Sequence, residues 1–423
     1  MVIHPDREAR SASRDPEARL EEAVGLALAL DLEVREALVA NLRRLTPATL
    51  FGKGKVEEIG ALIESLEADV AVVDDALTPV QQRNLEKAWQ VKVIDRTGLI
   101  LEIFARRART KEGRLQVELA RLSYERSRLV RTWTHLERQR GGFGVMGGPG
   151  ETQIETDRRL LAEKIGKLKR DLADVRRTRT LQRSARKRAP VPTVALVGYT
   201  NAGKSTLFNR LTESQVAAQD LLFATLDPTL RTLKLPDGRP AILSDTVGFI
   251  SDLPHALVEA FRATLEEVKE ADVVLHVRDI ASHESAAQAG DVREVLSRMG
   301  LDLEERRILE VWNKIDLVPE ADRADLAGDA RRAQPPAIPV SAVSGEGCEA
   351  LLAAVSAMVD EAPPVDIHAP AGEGAAVAWL YRHGRVIERS DAKDGGVRLA
   401  VSLSPQALGQ FEQLVPAIPI TAH

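Results

Sequence analysis

The chain has one cysteine, Cys348, in 423 residues. A lone thiol makes no internal disulfide and, without clustered histidine or aspartate partners, no zinc site, so a reducing cytosol is the compartment that fits. No apolar run approaches the ~18–20 residues of a bilayer span, and charge is spread through the N-terminal segment, so neither membrane insertion nor secretion is expected. With 44% hydrophobic and 29% charged residues, the composition excludes wholesale disorder and a collagen-like chain. At ~100–200 residues per domain, the length implies two to four domains.

What the chain does have is an uneven charge distribution. The net charge is −5, yet residues 106–188 hold 24 lysines and arginines against 10 acids, while the remainder holds 34 against 53. A cationic segment of this size is an electrostatic footprint for a polyanion, most often nucleic acid. The competing reading is a solvated helix face whose cations pair with acids elsewhere.

The patterning implies a multidomain α/β protein. Residues 1–105 read as an N-terminal α/β domain, with a helix from Pro16 and short strands at 71–75 and 91–95. Gly52, Lys53, Gly54 and Lys55 precede a helix whose N-terminus offers a place for a phosphate, although a basic turn is the simpler reading. Residues 106–189 read as a basic arm. Leu115, Leu119, Leu122, Leu129, Trp133 and Leu136 form one heptad seam, interrupted by Arg126, and Leu161, Ile165, Leu168, Leu172 and Val175 form a second. Two helices of about 28 residues, each ~42 Å long, are expected to fold back antiparallel as a coiled coil with their arginines outward. Their tip, 141–150, is glycine-rich and displays Phe143 and Met146, a composition suited to contacts on structured RNA.

Prolines after Arg188 end the arm, and a third domain spans 190–362, followed by a small α/β appendage at 363–423. In the appendage, 376–381 and 397–402 read as strands and 405–414 as a helix.

The third domain carries the chemistry. An apolar strand from Thr193 runs into Gly198, Tyr199, Thr200, Asn201, Ala202, Gly203, Lys204, Ser205 and Thr206, which match G-x-x-x-x-G-K-[ST] in a strand-to-helix context. The glycines let backbone N–H groups curl around phosphates, Lys204 neutralises the β- and γ-oxygens, and Ser205 ligates Mg2+. A second strand ends in Asp245, Thr246, Val247 and Gly248, so Asp245 holds the Mg2+ water shell and the Gly248 N–H senses the γ-phosphate. A third ends in Asn313, Lys314 and Asp316, whose carboxylate accepts from guanine N1–H and the exocyclic amine, donors that adenine lacks there. Ser341, Ala342 and Val343 follow a fourth strand and place a backbone N–H on guanine O6. This is a P-loop GTPase fold with a mostly parallel sheet.

Between the first two motifs lie Phe223, Ala224 and Thr225; Thr225 is the candidate switch threonine over Mg2+, with Thr229 as the alternative. After Gly248, where many GTPases carry a water-orienting glutamine, stands Phe249, whose ring makes no hydrogen bond to water. Slow intrinsic hydrolysis follows, with the missing group supplied by a rearranged loop, a cation or a partner. Asn201 resembles the phosphate-loop asparagine of potassium-stimulated GTPases, which makes K+ a second candidate cation.

Together the tip Gly141, Gly142, Phe143, Gly144, the following stretch from Gly150 to Arg159, the 223–229 segment and the Asp245–Phe249 segment resemble the HflX family of GTPases over nearly the whole chain. The resemblance implies binding to the ribosome, chiefly its large subunit and RNA, and nucleotide-dependent separation of stalled ribosomes into subunits, with hydrolysis stimulated by the ribosome. It implies contacts through Arg138, Arg140, Gly141, Gly142, Phe143, Gly144, Val145, Met146, Arg158 and Arg159. Nucleotide use by the N-terminal domain is also credited to such proteins. Two other readings compete: a GTPase that assembles the large subunit, and a signalling GTPase with a protein partner on the arm. Nothing in the sequence requires more than a monomer.

Overall fold

A computed structural model of the chain describes residues 1–423 apart from 8–13, 43, 140–148, 187–190, 215–221, 224, 254–266, 299, 301–306, 360–364, 393, 404, 416–417, 419 and 423. It contains three four- or six-stranded sheets.

The first sheet has the order β2-β1-β3-β4, all parallel, from β1 (Val2–Arg7), β2 (Ala37–Leu42), β3 (Val70–Val73) and β4 (Lys92–Asp95). Helices cover both faces, as a parallel sheet requires. Helix α1 (Pro16–Leu28) starts where local chemistry favours it: the Asp15 side chain accepts from Glu17 N–H and Pro16 occupies the first turn. Helices α2 (Lys53–Ser65), α3 (Pro79–Trp89) and α4 (Arg96–Arg107) follow; α3 opens on a Thr78–Gln81 capping box and α4 on an Asp95 cap. The Gly52–Lys55 segment enters α2, where Lys53 and Lys55 pair with Glu57 and Glu58 of the same helix. The basic-turn reading accounts for these lysines.

Helices α5 (Lys111–Gln139) and α6 (Pro149–Arg186) pack against each other. On α6 Leu161, Ile165, Leu168, Leu172 and Val175 are all buried or half-buried while most residues between them are exposed, which is the heptad seam. Two expectations are corrected. The helices are unequal at 29 and 38 residues, so α6 spans about 57 Å at 1.5 Å per residue. The base of α5 is also no free arm: Val117 and Ala120 belong to the main core, and Arg128 turns inward to donate to Asp95 Oδ2 at 2.7 Å. Burial on that second face, which a two-helix heptad does not anticipate, fixes the arm to the body. The side chains of Leu129, Trp133 and Leu136 lie outside the described residues.

The second sheet has the order β10-β9-β8-β5-β7-β6. Its strands are β5 (Thr193–Gly198), β6 (Thr229–Lys234), β7 (Pro240–Asp245), β8 (Val273–Asp279), β9 (Ile308–Asn313) and β10 (Ala337–Pro339), with only β6 antiparallel to its neighbour. Helices α7 (Lys204–Thr212), α8 (Ser285–Arg298), α9 (Glu320–Arg332) and α10 (Cys348–Val359) flank it. Cys348 is buried, and burial pushes its thiol up.

The third sheet is antiparallel, with the order β12-β13-β11-β14 from β11 (Val365–Ala369), β12 (Arg385–Asp391), β13 (Val397–Ser402) and β14 (Ile420–Ala422), accompanied by α11 (Gly374–His383) and α12 (Pro405–Leu414). The strand expected at 376–381 is part of α11. Ala376 and Leu380, four residues apart, both enter the core of this unit, so a helical stripe is what the short apolar run encodes.

One core joins the first and second units. Leu26, Phe104, Val117 and Ala120 share a cluster with Tyr199, Phe223, Val247, Phe249 and Ile250. Phe104 meets Phe223 edge to face, with ring centroids 4.6 Å apart at 81°, an arrangement contributing about 0.5–1.5 kcal/mol beyond area burial. Among the described residues no helix is long and apolar enough to cross a membrane.

Candidate nucleotide site

The site forms at the C-terminal ends of β5, β7 and β9 and just after β10, the edge where open α/β sheets bind ligands. Leaving β5, the chain turns sharply at Gly198, with φ +153, where a Cβ would lie 2.2 Å from the Val277 carbonyl oxygen. At Gly203, φ is +87 and a Cβ would strike Asn313 Nδ2 at 2.2 Å. Both glycines are thus required by close approach as well as conformation. Asn201 takes a left-handed φ of +59 and is exposed, while Thr200 and Ala202 are buried and Thr206 is half-buried.

Lys204 is buried at the start of α7 and its ammonium donates to the Tyr199 carbonyl at 2.6 Å. Burial pushes it down to about 8, with Asp245 opposing the shift. Asp245, at the end of β7, is pushed up by burial, which Lys204 and hydrogen bonds from Ser205 and Thr225 offset in part. The Ser205 hydroxyl donates to Asp245 Oδ2 at 2.8 Å and the Thr225 hydroxyl reaches the same oxygen at 2.9 Å. The two hydroxyls are themselves 2.9 Å apart. Asp245 Oδ1 is buried without a hydrogen-bond partner. One unpartnered carboxylate oxygen beside two hydroxyls is a donor set of hard oxygens, which fits Mg2+. Thr229 lies instead in β6, paired in register with Asp245.

On the base side, Asn313 Nδ2 donates to the Ala202 carbonyl at 2.8 Å, and Ala342 N–H donates to Asn313 Oδ1 at 3.0 Å. One buried side chain therefore ties the phosphate loop to the 341–347 loop. Lys314, at φ +68, pairs with Asp279 at 2.8 Å. Asp316 is exposed at the head of the site, Ser341 is fully buried and caps Ser344 N–H at 3.1 Å, and Val343 is exposed. Arg210 of α7 holds the loop through the carbonyls of Ala342, at 3.1 Å, and Val343.

Beyond β7, Thr246 donates to the Leu196 carbonyl at 2.6 Å, Val247 is buried in the shared core, and Gly248 passes so close to the phosphate loop that a Cβ would lie 2.9 Å from Thr200 Cγ2 and 3.0 Å from Lys204 Nζ. Phe249, 2% exposed, points into the shared core. Arg158 and Arg159 are exposed on α6. Ala224, Arg140 and Gly141 to Met146, as well as the side chain of Arg138, lie outside the described residues.

The segments just before β6 and just after β7 are held by residues that carry no local sequence signal. The Tyr199 hydroxyl accepts from Ser251 N–H at 2.8 Å and donates to Glu22 of α1. Burial and Glu22 raise its pKa, so it stays a protonated donor. Arg96 donates to the Ser251 carbonyl at 3.0 Å and to its hydroxyl at 2.9 Å, and Glu22 and Asp74 hold the Arg96 charge. Arg19 of α1 pairs with Asp252 at 2.7 Å. Before β6, Asp227 accepts from Arg109 N–H at 2.8 Å, Thr110 N–H at 2.9 Å and the Thr110 hydroxyl at 2.5 Å. Except for Tyr199 and Ser251, 52 residues apart, the contacts these segments make are with residues 117 to 233 positions away in sequence, too far for any local pattern to reveal.

Residues 17–105 match the family model of a GTP-binding GTPase N-terminal region, 107–186 that of a GTP-binding GTPase middle region, 193–314 that of a 50S ribosome-binding GTPase, and 327–420 that of the HflX C-terminal domain. The chain is 52% identical over 394 residues to the GTPase HflX of Magnetococcus marinus, covering 93% of this chain and 90% of that protein. It is 44% identical over 389 residues to the GTPase HflX of Escherichia coli, covering 91% and 89%. Among solved structures it is similar to the crystal structure of SsGBP in complex with GDP, at 25% identity and a TM-score of 0.50, covering 85% of this chain and 97% of that one.

Proposed function

Because the chain belongs to the HflX family of GTPases, we propose that it is a Mg2+-dependent switch that binds the large ribosomal subunit and, while GTP-bound, separates stalled ribosomes into subunits. The observation that carries this reading is the meeting of the Ser205 and Thr225 hydroxyls on Asp245, beside a buried Lys204 and an unpartnered Asp245 oxygen. A buried cation and a buried acid, each destabilised by desolvation, form a cradle that a magnesium-bound phosphate chain completes.

In this reading, the backbone from Gly198 through Gly203 wraps the phosphates, with Thr206 continuing the helix behind them. Lys204 neutralises the β- and γ-oxygens, and Ser205, Thr225 and, through water, Asp245 hold Mg2+. When bound, Mg2+ neutralises charge on the β- and γ-phosphates. Thr225 and Gly248 sense the γ-phosphate, and Phe223, Ala224, Thr246 and Val247 are the chain neighbours that carry them. Asn313, Lys314 and Asp316, with Ser341, Ala342 and Val343, recognise guanine, and Asn201 is the residue through which K+ would act. Phe249 supplies no water-orienting group, so hydrolysis is slow until the ribosome completes the site. The units 1–105, 106–189, 190–362 and 363–423 then divide the work: the arm and its tip, with Arg158 and Arg159, contact RNA, and release of the γ-phosphate frees the switches.

Sedimentation of intact ribosomes with the protein and a non-hydrolysable GTP analogue tests this. A shift to free subunits, absent with GDP, is expected. Binding only to immature large subunits would support an assembly role instead, and no binding in either state would remove the ribosome from the reading.

A further inference from the structure

Asp227 stands two residues beyond Thr225, and none of its carboxylate bonds reaches the nucleotide site. Oδ2 accepts from the Arg109 and Thr110 amides at 2.8 and 2.9 Å, and Oδ1 accepts from the Thr110 hydroxyl at 2.5 Å. Thr110 is itself the cap of α5: its hydroxyl accepts from Gly113 N–H at 3.0 Å and its carbonyl from Arg114 N–H at 3.0 Å. A Cβ at Gly113 would lie 2.5 Å from Asp227 Oδ1, so the first turn of the arm is shaped around this acid. A carboxylate at a helix N-terminus is favoured by the unpaired N–H groups and the positive end of the helix dipole. Phe223, two residues before Thr225, is seated edge to face on Phe104 of α4. Thr225 is therefore bracketed by two anchors, both belonging to elements outside its own sheet.

We propose that Asp227 is a positioning residue for Thr225, and that the N-terminus of α5 is the fixed point from which it positions. With Asp227 docked, Thr225 is held on Ser205 and Asp245, where the GTP-bound state needs it; undocked, the segment loses that register. The seat of the arm and the occupancy of the γ-phosphate position are thereby linked, and by reciprocity whatever shifts one biases the other. This rests on the assignment of Thr225 as the switch threonine.

The test compares Asp227→Ala, Asp227→Asn, Thr110→Val and Thr225→Ala in the full chain with Mg2+, using fluorescent GDP and a fluorescent non-hydrolysable GTP analogue. Asp227→Ala is expected to weaken the GTP analogue roughly tenfold, as the loss of a net charged hydrogen bond implies, with GDP changed less than about twofold. Thr110→Val should shift the same ratio in the same direction by less, and Asp227→Asn, which still accepts from both amides, should recover most of it. A merely structural role would weaken both nucleotides alike, and that result, or no shift at all, overturns the proposal. If Thr225→Ala shows no selective loss, the switch assignment and this inference fall together; if it does while Asp227→Ala does not, only this inference falls. In the unaltered protein, the Arg109 and Thr110 amides should exchange hydrogen more slowly with the GTP analogue than with GDP, and equal rates would sever the link to the arm.

Discussion

The Phe249 amide donates to the Gly198 carbonyl at 3.1 Å, and the Phe249 carbonyl accepts from Thr200 N–H at 2.7 Å. The residue that occupies the water-orienting position of other GTPases is thus stitched by its backbone to the start of the phosphate loop, on either side of Tyr199, with its ring in the shared core. Phe249→Gln is expected to leave GTP turnover no faster than in the parent. It would bury an amide and lose a packed ring, at a cost of about 3–5 kcal/mol by analogy with large core truncations. Single-turnover hydrolysis and thermal unfolding of the variant check both parts; faster turnover would contradict the placement.

Lys204 gives a pH dependence with a defined sign. Its folded pKa, about 8 without nucleotide, lies below the usual lysine value because burial penalises the ammonium. A bound phosphate chain favours the charged form and raises that pKa, so binding GDP takes up a proton once the pH exceeds about 8. Affinity should fall as the pH rises from there toward the pKa of the bound state. Calorimetry in buffers of different ionisation enthalpy reports the proton directly.

Asp316→Asn exchanges an acceptor pair for one acceptor and one donor, which no longer matches guanine N1–H and its amine but suits the C2 carbonyl of xanthine. GDP affinity is expected to drop by about 2–3 kcal/mol while xanthosine diphosphate gains. Competition binding measures the reversal, and an unchanged order would contradict guanine recognition at this residue.

Tyr199→Phe removes the hydroxyl that accepts from Ser251 N–H at 2.8 Å and donates to Glu22. The stranded amide, with the loss of one partner from a Glu22 carboxylate that keeps Arg96, costs about 1–3 kcal/mol locally. Hydrogen exchange at Ser251 should accelerate by about ten- to a hundredfold by the same energetics. Exchange within β5, distant from the hydroxyl, should not.

Arg158→Glu with Arg159→Glu reverses two exposed charges on α6. Ribosome binding should weaken, and the slope of log affinity against log salt should become shallower by about one to two units, because each phosphate contact contributes ~0.7–0.9. Nucleotide affinity serves as the control.

The parts of the fold that local chemistry dictates were legible in the sequence. Apolar strands running into glycine, Asp245, Asn313 and Ser341 declared the parallel sheet and its functional edge, and the Leu161–Val175 heptad declared the inner face of α6. Illegible features depended on tertiary packing. β1 and β2 escaped because Pro5, Asp6 and Asn41 interrupt short apolar runs that become strands only when β1 lies between β2 and β3. The Ala376–Tyr381 stretch is a short unbroken apolar run, which suits a buried strand as well as a helix, yet Ala376 and Leu380 choose the helix once the antiparallel sheet offers them a common core. The roles of Arg96, Glu22 and Asp227 were illegible, since the groups that give them meaning, Ser251, Tyr199 and Thr110, are brought near only by the core shared between the first two units.

The burial of Cys348 has a practical consequence for spectroscopy. The residue is 8% exposed and its thiol is pushed up by burial, so it reacts poorly with thiol-directed dyes. A cysteine introduced at Arg159 and another on the solvent face of α9 would take up a donor and an acceptor over a nearly silent background. The tilt of the long helix pair could then be followed in single molecules as guanine nucleotides exchange.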